Sequence, residues 1–295
     1  MTVAYIAFQQ LTPATRDRAS ALLKLNPKYS AWQASLPPGT SVEDQDLMIF
    51  MIAATWPDQI KKDPSYTADG SDNGDRPDGP DASRNTGYDD MLMHKYWHFV
   101  DTPFTNERVA LPAIPTPNAQ TQIAVFRRVL ASSSGDGLKS SDLSWLLHLV
   151  GDVHQPLHCT TRVSRADPGG DAGGNKVKLR CKGCPAELHA YWDEVLGKNN
   201  VLVEVVQFAK SLPQAPAALA TKGDENDWIA EGFQAGQQTA YSPPILAGDG
   251  PFRLTKTYED KALSLAKARV SLAGTRLANL LNSELKWSRK SWRLP

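Results

Sequence analysis

Four of the six histidines in this 295-residue sequence lie near an aspartate or among aromatic residues, in stretches that are otherwise apolar. The densest stretch, LLHLVGDVHQPLH at residues 146–158, holds three histidines and one aspartate. Burying such groups without a partner costs several kcal/mol, so the pattern indicates that something binds them. A metal ion is a partner that imidazole and carboxylate share.

Helical spacing pairs several of these side chains. His148 and Asp152 are four residues apart, as are His189 and Asp193, so each pair shares one face of a helix. A glycine and a proline after His148 end or bend its helix, which lets His158 return to the same region. The spacing therefore predicts two pairs of donors that can each bind one ion.

Two earlier stretches supply further donors. TWPDQIK places Asp58 in an apolar setting, and YWHFVDTP places His98 and Asp101 beside aromatic residues. A single His/Asp pair is more often an ordinary side-chain pair, but the number of pairs favours a zinc site with more than one ion. Two zinc ions roughly 3.5–4 Å apart can share a water and make it a nucleophile at neutral pH. The remaining histidines are predicted to be structural, His94 as a surface or packing residue and His154 as a hydrogen-bonding residue at a helix end.

The hydrophobic period is helical along most of the chain, which predicts an all-α fold in a single domain over residues 1–295. Thr12 and Ser41 are expected helix caps, and the tail from TYEDK to NSEL is the longest amphipathic stretch. NKVKLRC at 175–181 is the one strand candidate, as half of a short hairpin. Residues 61–90 are rich in Asp, Gly and Pro and predict an excursion over the surface.

Charge and cysteine content set weaker bounds. The 32 basic and 32 acidic residues balance, so bulk electrostatics does not indicate a nucleic-acid partner and any such binding must come from a local site. No apolar run reaches the roughly 18 residues that a membrane span needs. The pair Cys181 and Cys184 could form a tight disulfide or half of a zinc knuckle, or be inert, and we favour one disulfide among Cys159, Cys181 and Cys184.

The motifs HLVGDVHQPLH, WPDQIK and WHFVDTP, with GDAGGNKVKL followed by LHAYWD, resemble the zinc-dependent, single-strand-specific nucleases of the S-one/P-one type. That family includes mung bean nuclease and shares its fold with bacterial zinc-dependent phospholipases C. The similarity runs nearly from end to end, from LTPATR to SLAGTRLANLLN. It implies an endonuclease that hydrolyses single-stranded DNA and RNA to 5′-phosphorylated products and that also acts as a 3′-nucleotidase.

The resemblance also implies roles for individual residues. One zinc ion would be held by Asp58, His98, His148 and Asp152, and a second by His158, His189 and Asp193. Beside Asp58, the catalytic residues would be Lys61, which neutralises charge on the phosphate in the transition state, and Asn175, which contacts the phosphate. Phe99 and Asp101 would form a base pocket, in which the ring stacks on a base and the carboxylate accepts from its edge. Core packing is the alternative role for Phe99.

Members of this family begin with a Trp and a nearby His that bind a third zinc ion, and those residues would fall immediately before Met1. We expect Met1 to be an internal methionine of the natural protein, whose precursor carries a signal peptide and the missing ligands. Only Asp152 of the third-ion ligands is present, so we expect two zinc ions from this chain. A secreted or periplasmic location follows from the resemblance.

Single-stranded nucleic acid and 3′-nucleotides are the expected substrates, with no membrane span and no obligate protein partner. A phospholipase C-like phosphodiesterase on the same metal frame is one alternative. Phe99 and Asp101 argue against it, since a choline pocket needs an aromatic cage. The other alternative is an inactive zinc-binding homologue that lacks its amino terminus.

Overall fold

Helices dominate the structure, a computed structural model that describes residues 1–70, 80–180, 183–198, 200–246 and 248–285. This confirms the predicted all-α class. The α-helices are α1 Thr2–Gln10, α2 Pro13–Leu23, α3 Tyr29–Ala34, α4 Val42–Ala53, α5 Trp56–Ile60, α6 Ala119–Ala131, α7 Asp136–Asp152, α8 Leu188–Glu194, α9 Leu202–Ser211, α10 Ala217–Ala220, α11 Glu225–Ala235 and α12 Lys256–Glu284. Short 3₁₀ helices lie at Pro80–Ser83, Gly87–Asp89, Lys95–His98 and Pro156–Cys159, and a π-helical turn at Gly236–Ala240 continues α11.

Side-chain caps explain where several helices begin. The Thr12 hydroxyl accepts a hydrogen bond from the Thr15 amide at 3.2 Å, at the start of α2. The Ser41 hydroxyl accepts from the Asp44 amide at 3.2 Å, at the start of α4. Each cap satisfies a backbone N–H that has no partner inside the helix, so both predicted caps are confirmed.

The only strands in the described ranges are a short parallel pair, β1 Pro103–Phe104 and β2 Thr161–Arg162. Just before the pair, the Val100 amide donates to the His158 carbonyl at 2.7 Å. This pairing holds the segment after His98 against the segment after His158, which brings two distant parts of the sequence to one place.

The strand expected at 175–181 is reduced to isolated bridges in the residues that the structure describes. Lys178 forms an antiparallel bridge with Glu187, and Leu179 forms a parallel bridge with Phe252. The Leu179 amide donates to the Ala186 carbonyl at 2.8 Å and the Leu188 amide donates to the Val177 carbonyl at 2.9 Å. The segment therefore pairs with residues 186–188 as half of a short hairpin would, but the pairing is too short to form a regular strand.

In the part of the chain that the structure describes, the hydrophobic core consists of two clusters. The larger cluster packs α1, α2, α4, α6 and α7 together and includes Trp97, Leu147 and Leu149. The smaller cluster includes Leu157 and Leu188 and lies around α8 and the start of α12. His98 and His148 therefore follow residues of the larger cluster, while His158 and His189 follow residues of the smaller one.

The prediction that residues 1–295 form one domain stays a prediction.

Where the predicted surface excursion at 61–90 is described, its regular structure is limited to the 3₁₀ helices at Pro80–Ser83 and Gly87–Asp89. Its residues 71–79 lie outside the described ranges. Backbone hydrogen bonds close its base, from Thr67 to Met91 at 2.8 Å and from Met93 to Thr67 at 3.0 Å. The excursion therefore starts and ends at neighbouring points, between Asp58 and His98 in the sequence.

His94 is a packing residue, with only 2% of its surface exposed. Its two ring nitrogens lie 2.8 Å from Asp69 Oδ2 and 3.0 Å from Asp90 Oδ2. The ring also stacks on Trp97, with centroids 3.5 Å apart. Of the two roles expected for His94, the structure shows packing and not surface exposure.

Among the helices that the structure describes, none combines the length and the apolar character needed to cross a membrane.

Candidate metal centre

A cavity of about 640 Å³ gathers the side chains predicted to bind zinc. Its lining includes Asp58, His98, Asp152, His158, His189 and Asp193. The seventh predicted ligand, His148, contacts two of these residues directly. Donors from four distant stretches of sequence therefore meet at one place.

Asp58, His98, His148 and Asp152 form what we term the first group. His148 Nε2 lies 3.0 Å from His98 Nδ1 and 3.1 Å from Asp152 Oδ2. Asp58 Oδ1 lies 3.7 Å from His148 Nε2 and 4.0 Å from His98 Nδ1. Helix α5, the 3₁₀ helix at 95–98 and helix α7 supply these four side chains.

His158, His189 and Asp193 form the second group. His158 Nε2 lies 3.5 Å from Asp193 Oδ1, and His189 Nε2 lies 3.6 Å from Asp193 Oδ2. The predicted spacing on α8 is confirmed, since His189 and Asp193 are one turn apart on that helix.

The donor atoms have the spacing that a zinc ion needs. Bonds of about 2.0–2.1 Å in a tetrahedron place the ligand atoms roughly 3.3 Å apart. The distances of 3.0–4.0 Å in the first group and 3.5–3.6 Å in the second lie around that value. The nitrogen and oxygen donors are also of the types that zinc prefers, so both groups fit this ion.

Backbone carbonyls orient three of the four imidazoles. The Nδ1 atoms of His148, His158 and His189 lie 2.8, 2.9 and 2.8 Å from the carbonyls of Ala54, His98 and Gly173. Because a carbonyl only accepts, Nδ1 carries a proton in each ring, and in the neutral imidazole Nε2 then has a lone pair directed at its group. These rings are fixed in the tautomer that a metal ligand needs.

Gly173 is required for one of these contacts. Its φ of +58° lies in the left-handed region, and a Cβ there would lie 2.5 Å from the Leu157 carbonyl oxygen. A larger residue would push the turn away from His189 Nδ1, which would lie only 3.3 Å from that Cβ. The GGN motif therefore serves the second group by close backbone approach.

His98 uses its other nitrogen. Its Nδ1 lies 3.0 Å from both His148 Nε2 and Asp152 Oδ2, and both of these atoms are acceptors. A proton on Nδ1 can form a full hydrogen bond with only one of these two acceptors. A cation bound by all three atoms would instead give each lone pair a partner. In the described ranges the buried Nε2 of His98 has no hydrogen-bond partner. This imbalance supports a cation at the first group.

Charges within the site change the protonation of its members. Desolvation raises the pKa of Asp58, but His148, His98 and Lys61 outweigh it and lower the pKa to about 2. Desolvation lowers the pKa of His158, but Asp152 and Asp193 outweigh it and raise the pKa to about 9. Both shifts reflect strong coupling between the carboxylates and the imidazoles.

One carboxylate in each group is exposed and is held by a neighbouring polar side chain. Asp58 is 57% exposed and its Oδ1 lies 3.1 Å from Lys61 Nζ. Asp193 is 46% exposed and its Oδ1 accepts a hydrogen bond from Gln155 Nε2 at 2.9 Å. The first partner is charged and the second is neutral.

The sequence matches the family model described as S1/P1 Nuclease over residues 1–286. The chain belongs to the S1/P1 nuclease family.

Similar proteins in this family come from fungi and plants. Nuclease P1 of Penicillium citrinum is 27% identical over 176 residues, which cover 53% of this chain and 62% of that protein. Nuclease PA3 of Penicillium sp is 27% identical over 175 residues, with the same two coverages. Endonuclease 4 of Arabidopsis thaliana is 27% identical over 241 residues, which cover 70% of this chain and 77% of that protein. The matched region thus covers less than two thirds of the length of the two fungal relatives and more than two thirds of the length of the plant relative.

The predicted substrate contacts of this S1/P1 family member also line the cavity, with Lys61, Asn175, Phe99 and Asp101 among its walls. Asn175 Nδ2 donates to the Ala172 carbonyl at 2.8 Å, which fixes its amide within the GGN turn. Phe99 is 9% exposed and packs in the larger cluster, so it borders the cavity while it also fills the core. Both of the roles considered for this ring are therefore compatible with its position.

Gln155 and Arg269 are polar residues of the cavity lining for which the sequence predicted no role. Arg269 is buried and donates to the carbonyls of Val153 and His154, just after α7 ends. His154 is the predicted helix-end hydrogen bonder, since its Nδ1 lies 2.7 Å from the Val150 carbonyl. The position of Gln155 inside the HQPLH motif could have indicated a role at the site. Arg269 lies on a helix that is distant in sequence, and no motif marked it.

Cys159 is a free, buried thiol, so it is not part of the disulfide expected among the three cysteines. Cys181 lies outside the described residues. A disulfide that involves Cys181 and Cys184 stays a prediction.

Proposed function

We propose that this chain is a zinc-dependent endonuclease that cleaves single-stranded DNA and RNA to 5′-phosphorylated products and also acts as a 3′-nucleotidase. One observation carries the proposal: two groups of zinc-type donors face a single cavity that also contains Lys61, Phe99 and Asp101. The names of the relatives add to it, since all three are nucleases.

The first group, Asp58, His98, His148 and Asp152, would hold one zinc ion, and the second group, His158, His189 and Asp193, would hold the other. When bound, the two ions would supply Lewis-acid activation of the phosphate and a nucleophile at neutral pH. All other steps are assigned to side chains of the chain.

Lys61 and Asn175 would act on the phosphate. Lys61 Nζ carries a fixed positive charge at the edge of the first group, and this charge would stabilise the negative charge that grows on the phosphate oxygens. The Asn175 amide, held by its bond to Ala172, would donate to the same phosphate. Both groups are oriented before substrate binds, which avoids reorganisation during the reaction.

Phe99 and Asp101 would select a single strand. A base can stack on the Phe99 ring only when it leaves its neighbours, and unstacking costs a few kcal/mol in a duplex. Asp101 would accept a hydrogen bond from the base edge. Because every base has a flat face, this recognition tolerates many sequences.

Little in the cavity supports the phospholipase C-like alternative. Among the described lining residues, the aromatic rings are Phe99 and Trp192, and both are buried. The Trp192 indole N–H already donates to the Tyr258 hydroxyl at 3.0 Å. Two buried rings do not form the cage that a choline headgroup requires.

The experiment is a substrate panel on purified protein loaded with zinc. We expect cleavage of single-stranded DNA and RNA at least about 10-fold faster than cleavage of duplex DNA. Phosphatidylcholine should not be hydrolysed. Chelation should abolish cleavage and zinc should restore it. Protein that carries two zinc ions but cleaves none of these substrates would support the inactive homologue instead.

One part of the proposal concerns the location of the protein. We propose that it is secreted or periplasmic. Fractionation of cells that express the native protein tests this part, and we expect the protein in the periplasm or the medium. Protein found only inside the cells would contradict it.

A further inference from the structure

We propose that Gln155 is a positioning residue that fixes the Asp193 carboxylate and thereby controls the affinity of the second group for its zinc ion, while the first group is left unchanged. The inference rests on the proposed function, since it assumes that both groups bind zinc.

Both ends of the Gln155 amide are engaged. Its Nε2 donates to Asp193 Oδ1 at 2.9 Å, and its Oε1 accepts from the Leu157 amide at 2.5 Å. A carboxylate can only accept and a backbone N–H can only donate, so the orientation of the amide is fixed by its partners. Rotation of the amide by half a turn would lose both hydrogen bonds.

The position of Asp193 depends on this contact. Its carboxylate is 46% exposed and lies near the end of α8, a short helix. The distances from Asp193 to the imidazole nitrogens of His158 and His189 are 3.5 and 3.6 Å, longer than the 2.9 Å to Gln155. Without this hydrogen bond an exposed aspartate would sample several rotamers, and fixing one rotamer would then cost free energy when the ion binds.

Gln155 also links Asp193 to the turn that carries His158. The hydrogen bond from the Leu157 amide begins the 3₁₀ helix at 156–159, which places His158 in the second group. One side chain therefore joins the two segments that supply the second group. Its two side-chain hydrogen bonds involve no atom of the first group.

The test is the Gln155→Glu substitution. Glutamate keeps the acceptor for the Leu157 amide, so the turn remains capped, but it replaces the donor to Asp193 with a second negative oxygen. We expect the second-site zinc affinity to fall about 10- to 100-fold, as is typical when an outer partner of a metal ligand is lost. The first-site affinity should stay within about twofold of wild type.

Zinc affinities are measured by competition with a chromophoric chelator, and anomalous scattering from crystals at limiting zinc assigns each affinity to one group. Gln207→Glu is the matched control, because it makes the same charge change at an exposed position of α9. Gln155→Ala removes the hold without adding charge and should weaken the same site by a smaller factor. Thermal unfolding of the metal-free proteins should be alike.

The outcomes separate the two proposals. Two zinc ions in wild type and an unchanged second-site affinity in Gln155→Glu would overturn only the role of Gln155. An equal loss at both sites, together with lower stability of the metal-free protein, would show a general structural role and would also overturn it. Fewer than two ions in wild type would overturn the proposed function and this inference with it.

Discussion

The two groups of donors contain similar side chains but are held in different ways. The first group draws its members from residues 58 to 152, and its closest donors are 3.0–3.1 Å apart against the larger core cluster. The second group comes from residues 158 to 193, beside the smaller cluster, with donors 3.5–3.6 Å apart. The first group therefore depends on long-range packing, whereas the second depends on one turn and one short helix.

Their exposed carboxylates differ as well. Asp58 is held by the charged Lys61, which also faces the cavity, and Asp193 is held by the neutral Gln155. From this difference we propose distinct roles for the two groups. The zinc ion of the first group would lie beside the reacting phosphate, and the second group would hold the second zinc ion. Substitutions in and around the two groups test this division.

The largest effect is expected from His148→Ala. It removes the donor that contacts both His98 and Asp152, so zinc content should fall from two ions to one. Activity on single-stranded DNA should fall by at least about 10³-fold. Zinc analysis and kcat/KM measure the two effects. A variant that retains both ions would show that the first group does not bind zinc through His148.

Lys61→Ala should separate charge stabilisation from ion binding. We expect kcat to fall about 10²-fold while both zinc ions stay bound, because the lost interaction acts on the transition state. Lys62→Ala is the matched control, since Lys62 is exposed and adjacent in sequence but does not line the cavity. Equal effects of the two substitutions on kcat would refute a specific role for Lys61.

Phe99→Leu should act on substrate binding. Base stacking is worth about 1–3 kcal/mol, so KM for single-stranded DNA should rise roughly 10-fold, with a smaller change in kcat. Phe104→Leu makes the same change in the smaller core cluster, away from the cavity lining. If both variants lose stability and neither changes KM, Phe99 serves only as a core residue.

The smallest effect on activity is expected from Asp142→Asn on α7, the helix that carries two members of the first group. Burial raises the pKa of Asp142 to about 8, although the hydrogen bond from Asn85 opposes the shift. The unfolded carboxyl ionises near pH 3.9, so the native state loses stability as pH rises from about 4 to about 8. The loss levels off above that range.

Removing this carboxyl should flatten the pH dependence. Each unit in that window is worth about 1.4 kcal/mol, so wild type should lose up to about 4 kcal/mol of unfolding free energy between pH 5 and pH 8 relative to Asp142→Asn. Denaturant unfolding at the two pH values measures this difference. Parallel behaviour of the two proteins would show that Asp142 does not titrate in this range.

Much of this architecture could be predicted from the sequence, because helical periodicity and His-x-x-x-Asp spacing are local signals. The caps at Thr12 and Ser41 and the pairing of His189 with Asp193 on one helix follow from such signals. The convergence of Asp58 with His148 is a long-range contact, and only the resemblance to known nucleases predicted it.

Other features had no local signal. The pairing of β1 with β2 depends on two-residue strands that are too short to show alternation. The burial of His94 results from carboxylates at positions 69 and 90, inside a segment whose composition indicated only a surface loop. Arg269 acts through backbone carbonyls and Gln155 acts through the Asp193 carboxylate. The spacing of residues in the sequence does not predict these contacts.

A crystal structure of the zinc-loaded protein, with anomalous scattering measured on both sides of the zinc edge, tests the two-ion site most directly. We expect one ion among Asp58, His98, His148 and Asp152 and another among His158, His189 and Asp193, both facing the same cavity. Zinc density at neither group, or at a single position that involves residues of neither, would contradict it.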